Sequence, residues 1–220
     1  MLARILSFGL QGIEAYPVEI EVDVARGLPA INVVGLPGSA IKESKERVKS
    51  ALKNSGFQWP SERITISLAP SGVKKEGACF DLGIALGILA ATGQINSSGL
   101  SGYFVLGELS LDGSLRPVRG ALPITMAIAK SALNQVILPE QNAKEAAIVS
   151  GASVFALKTL RECVEFLNNP VMLKPFQLDL LSLFQGKDRY SLDFSEVKGQ
   201  FLAKRALEIA VAGGHNILML

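Results

Sequence analysis

Few residues in this chain are able to do covalent chemistry. Cys79 stands at the mouth of an apolar run, shortly after Lys74, Lys75 and Glu76 and just before Asp81. A thiol is a nucleophile only when a base or a lowered pKa makes it a thiolate. The one histidine, His215, falls in a separate C-terminal segment. A Cys–His arrangement within the first domain is therefore excluded, and Cys79 reads as a small buried residue at a helix start. Cys163 lies within an amphipathic helix and reads as core. The two cysteines lack metal-ligand spacing, and His215, between Gly214 and Asn216, has no partner ligand near it. No metal site is expected. Reduced thiols suit a cytoplasmic protein.

Phosphate chemistry has a partial signal. Gly35-Leu36-Pro37-Gly38-Ser39 begins like a phosphate loop. Such a loop ends in Gly-Lys-Ser/Thr, which grips phosphate and magnesium. Here Ala40-Ile41-Lys42-Glu43 follows, so the stretch reads as a strand-to-helix turn with Ser39 as N-cap. No G-x-x-x-x-G-K-[ST] occurs in the 220 residues, and these residues alone are expected not to turn over ATP. Cations form two groups. Lys42, Lys45, Lys49 and Lys53 recur at helical spacing, with Glu43–Arg47 and Lys42–Glu46 as i,i+4 pairs. Lys74 and Lys75 share a loop. Either group reads as a solvated face or as a contact for phosphate backbone. The loop pair is the stronger candidate, because Glu43 and Glu46 offset the helix row. Trp59, the only tryptophan, precedes Pro60 and reads as a poor stacking platform, and no aromatic array or base-reading motif is visible. Any DNA contact is expected through phosphates.

These groups need elements to hold them. Ile64, Ile66 and Leu68 alternate with Thr65 and Ser67, the period of a half-buried strand. Pro70, Ser71 and Gly72 break it. Phe80 to Ala91 is apolar on nearly every side, a helix for the core and too short to span a bilayer. Gly83 and Gly87, one turn apart, admit a close neighbour. Asp81 suits the positive end of that helix. Upstream, Leu2 to Leu10 and Pro17 to Ala25 are strands. The second puts Val18, Ile20, Val22 and Val24 on one face and Glu19, Glu21 and Asp23 on the other, wet one, as in an antiparallel sheet. Ala30 to Val34 returns as a third strand, completing a meander. Ile41 to Asn54 is an amphipathic helix. Asp112-Gly113 turns a hairpin between Tyr103 to Leu111 and Leu115 to Val118. Helices at Ala121 to Leu133, Pro139 to Val149 and Thr159 to Asn168 alternate with strands at Val136 to Leu138 and Val154 to Ala156, which predicts parallel pairing. Thr159 and Glu162 form a capping box. The first domain thus spans residues 1–168. Residues 169–192 read as a linker with a short helix around Leu178 to Phe184. Residues 193–220 begin a second domain with a helix over Lys198 to Ala212, a Gly213-Gly214 stop and a strand from Asn216.

Net charge is +2 and hydrophobic content 49%, so a sizeable core is expected and nothing global demands nucleic acid. No signal peptide or membrane span is visible.

Several motifs carry a resemblance. Lys75-Glu76-Gly77-Ala78-Cys79-Phe80-Asp81 stands where Lon-type proteases have K-D-G-P-S-A-G. Leu106-Gly107-Glu108-Leu109 with Leu115-Arg116-Pro117-Val118 is similar to their G-E-I-T…R-V-L-P-I, and the stretch from Val136 to Asn142 to their V-L-I-P-K-E-N. The first domain resembles the Lon-protease-like branch of the ribosomal protein S5 domain 2-like fold, an α/β (α+β) class. The segments GLPAINVVGLPGSAIKESKERVKSAL, KEGACFDLGIALGILAATG and DFSEVKGQFLAKRALEIAVAGGHNILML together resemble the ComM/YifB family of magnesium-chelatase-like AAA+ ATPases, over nearly the whole chain.

The resemblance implies an N-terminal region truncated before its Walker A loop. It implies ATP and Mg2+ as cofactors of the full protein, a homo-hexameric ring, and DNA, single-stranded or branched, as partner in branch migration during recombination and natural transformation. Val197, Gly199 and Gln200 would lie on the adenine side, with Ser195 as a helix-entry cap. In the Lon alignment Cys79 takes the nucleophilic Ser position and Leu122 the Lys position, so the dyad is absent. The Lon-like domain would then serve assembly or contact DNA through Lys42, Lys45, Lys49, Lys74 and Lys75. The rivals are an ATP-dependent protease and a metal-chelatase subunit.

Overall fold

A computed structural model of the chain describes residues 1–179 and 193–219. Two compact units result, residues 1–178 and 179–220.

The first unit is built on a seven-stranded mixed sheet. Its strands are β1 (Leu2–Gln11), β2 (Glu14–Ala25), β3 (Ala30–Val34), β4 (Arg63–Ala69), β5 (Phe104–Val105), β8 (Gln135–Pro139) and β9 (Ser153–Leu157), in the order β3-β4-β2-β1-β5-β8-β9. A separate hairpin joins β6 (Glu108–Leu109) and β7 (Leu115–Arg116). Asp112 Oδ1 accepts from Ser114 N and Oγ at 3.0 and 2.7 Å, and Gly113 takes a φ of 87°, which sets the hairpin turn.

The sheet has two characters, and the sequence explains both. β1, β2 and β4 are antiparallel. Val18, Ile20 and Val22 face the core, while Glu19 and Glu21 face water and meet Arg4 at 3.4 and 3.1 Å. β5, β8 and β9 are parallel and buried on both faces, so their side chains divide between two clusters. Val105, Ile137 and Phe155 join the larger one, with Leu160, Cys163 and Phe166 of α5 (Leu160–Asn168). Phe104, Val136, Leu138 and Val154 join the smaller, with Ile124 and Ile128 of α3 (Ala121–Ile128).

The expected meander does not form. β4 lies between β2 and β3 and pairs parallel with β3. The chain leaves β3 through α1 (Ser39–Asn54) and returns as β4, and Ile64, Ile66 and Leu68 then fill the inner position. β3, half wet, is left at the edge.

α2 (Asp81–Ala91) is the centre of the large cluster, and all 11 of its residues are buried. A Cβ on Gly83 would sit 2.6 Å from Ile20 Cδ1, and one on Gly87 2.6 Å from Val22 Cγ2. The two glycines therefore let the helix lie directly on β2. α1 buries Ile41, Val48, Ala51 and Leu52. Gly38, not Ser39, is its N-cap, and no side chain caps it.

Other boundaries moved for local reasons. α3 stops at Ile128 rather than Leu133, and the Ser131 hydroxyl donates to the Ile128 carbonyl at 2.8 Å. The helix expected over Pro139 to Val149 is a 3-10 turn, Glu140–Asn142, followed by the single-turn α4 (Ala143–Ala146). There the Asn142 side chain is held by Val118 N and O at 2.8 and 2.9 Å. The capping box forms in modified form. Thr159 Oγ1 accepts from Glu162 N at 3.1 Å, but Glu162 Oε2 accepts from Lys158 N at 2.7 Å.

The first unit runs to Leu178, past the expected end at residue 168, because Phe176 N donates to Val154 O at 2.7 Å and Phe176 packs on the smaller cluster. The helix expected around Leu178 to Phe184 falls beyond Asp179 on residues outside the described ones. The second unit contains a 3-10 turn, Phe194–Glu196, and α6 (Phe201–Gly213). Residues 215–219 are not a strand. A strand needs a ladder partner, and none of the described strands pairs with them.

Candidate functional site

The loop from Pro70 to Phe80 meets the turn from Gly35 to Gly38. A side chain on Gly35 would collide with the Leu68 carbonyl, so the close approach requires glycine. Gly38 N donates to Lys75 O at 2.8 Å and Lys75 N to Leu36 O at 3.2 Å. The glycine-rich stretch is thus a turn docked on protein backbone, as the missing Lys implied.

That docking decides the fate of the loop lysines. Lys75 is fully buried, and its Nζ donates to the Pro70 carbonyl. Burial lowers its pKa. Lys75 is therefore not part of any DNA-facing surface, contrary to expectation. Lys74 stays exposed but pairs with Glu76 at 2.6 Å. Neither Glu43 nor Glu46 forms an ion pair among the described residues. Arg47 turns instead to Asp81. Lys42 is exposed, Lys49 is half-buried, and Lys45 Nζ donates to Ile31 O at 3.0 Å.

Asp81 is the least expected group. Its side chain is 1% exposed, and the Arg47 side chain 23%. Arg47 Nε donates to Asp81 Oδ2 at 2.9 Å and Nη2 to Oδ1 at 3.3 Å. Leu109 N also donates to Oδ2, at 3.3 Å. Asp81 thus ties α1 and the β6–β7 hairpin to α2 rather than capping its own helix. Burial pushes its carboxyl up to about 6, against the opposing pull of Arg47. Sequence reading missed this pair because Glu43, one turn before Arg47, is an equally good partner on a helix surface.

A cleft of about 590 Å³ lies beside this pair. Arg47, Glu76, Cys79, Glu108, Val118 and Arg119 contribute to its wall. Cys79 is half-buried, with Sγ 4.0 Å from the Phe8 carbonyl. Burial pushes its thiol up to about 12, so it is protonated at neutral pH and a poor nucleophile. Cys163 is buried in the core as expected. Leu122 offers only its backbone N, which donates to Glu145 Oε1 at 2.9 Å. Among the described residues no cluster of three or more potential metal ligands occurs, and no helix is long and apolar enough to cross a membrane.

In the second unit Asp193, not Ser195, caps the entry turn, accepting from Ser195 N at 2.6 Å. Gly199 and Gln200 follow with φ of 69° and 52°. Val197 is exposed. Gln200 is the N-cap residue of α6, and its carbonyl accepts from Lys204 N at 2.9 Å.

Comparison with known proteins places this architecture. Residues 20–142 match the family model "Subunit ChlI of Mg-chelatase", and residues 193–220 match "Magnesium chelatase, subunit ChlI". The chain is 43% identical over 223 residues to "Competence protein ComM" of Haemophilus influenzae, covering 100% of this chain and 43% of that protein. It is 39% identical over 210 residues to "Uncharacterized protein YifB" of Salmonella typhimurium, covering 95% of this chain and 40% of that protein. The chain belongs to the ComM/YifB family of magnesium-chelatase-like proteins. It spans less than half the length of these relatives.

A more distant similarity bears on the cleft of this ComM/YifB-family chain. "Lon protease 2" of Bacillus subtilis is 26% identical over 181 residues, covering 74% of this chain and 32% of that protein. The first unit is thus a Lon-like α/β domain. The cleft of this Lon-like unit presents the Cys79 thiol, protonated at neutral pH.

Proposed function

We propose that this chain is the N-terminal region of a ComM-like AAA+ motor that acts on DNA in the cytoplasm. The observation that carries the reading is the 43% identity to Competence protein ComM across the whole chain. The complete protein would assemble as a homo-hexamer, use ATP and Mg2+, and move single-stranded or branched DNA in branch migration. Val197, Gly199 and Gln200 would stand on the adenine side of its nucleotide site. The Lon-like unit would be non-proteolytic, serving ring assembly or DNA contact. Leu122 cannot take a proton, and a thiol pushed up to about 12 supplies no thiolate at neutral pH.

The DNA part rests on phosphate contacts from Lys42, Lys45, Lys49 and Lys74. Cations that neutralise phosphates release counterions, so affinity should fall steeply with salt. A fluorescence-anisotropy titration of the chain with single-stranded and branched DNA across a salt series tests this. Combined Lys42→Glu and Lys49→Glu should weaken binding and flatten the slope. Absence of binding even at low salt leaves ring assembly as the role of the domain. Casein cleavage abolished by Cys79→Ala would replace the reading with a protease.

A further inference from the structure

Trp59 and Pro60 lie in the connection between α1 and β4, at the end of the sheet where β2 finishes and β3 and β4 begin. Two clefts open there, of about 460 and 200 Å³, and Trp59, Pro60 and Glu62 belong to the walls of both. Arg26 lines the larger cleft and Lys49 the smaller. Arg63 begins β4 beside them, its side chain running past Gly27. None of Arg26, Lys49 and Arg63 forms an ion pair among the described residues, so all three charges are open to an anion. Trp59 is half-buried, packed on the core on one side and open to the clefts.

An aromatic ring accessible from a groove and flanked by uncommitted cations is the chemistry of a single-stranded nucleic-acid site. Every base has a π-face that stacks on an aromatic side chain, and the neighbouring cations hold the phosphates. A duplex offers its phosphates but keeps its bases stacked. We propose that the paired clefts around Trp59 bind one unpaired nucleotide of single-stranded DNA, with the base against the indole and Arg26, Lys49 and Arg63 on the flanking phosphates. The proposal rests on the reading that this chain contacts DNA, and it adds a base-contacting element to a surface otherwise read as phosphate-only. Lys49 joins this end of the sheet to the α1 lysine row.

Trp59 is the only tryptophan, so its emission reports on this site alone. The experiment titrates the 220-residue chain with oligodeoxythymidylate and with a duplex of equal length at low salt, reading Trp emission and anisotropy of labelled DNA together. The single strand is expected to quench Trp59 in step with anisotropy, and the duplex to leave emission unchanged. Trp59→Ala should weaken single-strand binding about tenfold, the scale of losing one stacked base, and Trp59→Phe should restore most of it. Because Trp59 also packs on the core, Arg26→Glu with Arg63→Glu, both exposed positions, provides a second arm: it should weaken binding and abolish the quench. Single-strand binding with unchanged emission and normal affinity in Arg26→Glu/Arg63→Glu would overturn the site while leaving DNA contact intact. Equal quenching by the duplex would overturn the stacking. No DNA binding at all would overturn both this site and the reading beneath it.

Discussion

α2 and α6 are both rich in apolar residues, α6 being amphipathic with Lys204, Arg205 and Glu208 on it, and their surroundings differ sharply. α2 has all 11 residues buried, between the sheet and α1. α6 has only Ala210 buried, and leaves Phe201, Leu202 and Val211 more than three-quarters exposed. Apolar composition alone does not make a core. α2 is covered because Gly83 and Gly87 bring it against Ile20 and Val22, and because Asp81 fastens both neighbouring elements to its first turn. The second unit contributes no described strand on which α6 could lie.

The sharpest way to break the contrast is a charge inside α2. Leu86 is fully buried, and a buried unpaired carboxylate costs several kcal/mol. Leu86→Asp is expected to unfold the first unit, seen as loss of its cooperative thermal transition. A soluble variant with an unchanged melting temperature would show that α2 is not the core.

The ion pair comes next, and its two halves are not equivalent. Removing Arg47 strands a carboxylate that is 1% exposed, whereas removing Asp81 strands a guanidinium that can still reach water. Arg47→Met should therefore cost about 3 kcal/mol at pH 7 in urea unfolding, and Asp81→Asn clearly less. The pH dependence follows from linkage. The folded pKa of Asp81, about 6, lies above its ordinary value of 3.8, so between these values the native state binds more protons than the unfolded one. This group's contribution to stability is fully present below about pH 4 and is lost as pH rises through 6. Asp81→Asn should flatten that part of the stability curve, and Arg47→Met should be least damaging at its acid end.

These elements also show what a sequence can and cannot carry. α2 was legible because eleven consecutive residues avoid water and two glycines fall on one face. The wet and dry faces of β2 were legible because period two is unambiguous. Parallel pairing of β8 and β9 followed from strand–helix alternation. The place of β4 between β2 and β3 was not legible, because strand order is set by which apolar face finds cover, not by adjacency in the chain. Lys75 and Lys74 are neighbours of one type, yet one is buried and the other exposed, since the docking of the Gly35–Gly38 turn separates them. The Asp81–Arg47 pair crosses 34 positions, beyond any i,i+4 rule. Trp59 was read through its neighbour Pro60, whereas the clefts beside it are made by β2, β3, α1 and α2.

A smaller effect should come from the glycine that seats α2. Alanine at position 87 would gain up to about 1 kcal/mol of helix propensity. Its Cβ would lie 2.6 Å from Val22 Cγ2 and 3.3 Å from Ile5 Cδ1. Val22 is β-branched and has little rotamer freedom with which to retreat, and overpacking a tight core costs about 1–3 kcal/mol. Gly87→Ala is expected to lose about 1 kcal/mol net, read as a lower urea midpoint at unchanged slope. A gain in midpoint would mean that the sheet yields to the helix.

The smallest effect is expected in α6. Val211 is 80% exposed, and a substitution away from packed features usually changes stability by no more than about 0.5 kcal/mol. Val211→Ser should leave the unfolding transition of the first unit where it is. Hydrogen exchange sharpens the point, because amides open with free energies set by local packing. A helix with one buried residue has little tertiary support, and isolated helices of this length are marginal in water. The α6 amides should exchange orders of magnitude faster than those of α2 in the same sample. Equal protection would mean that the exposed apolar residues of α6 find cover in solution, and Val211→Ser should then lower that protection, which separates hidden packing from intrinsic helix strength.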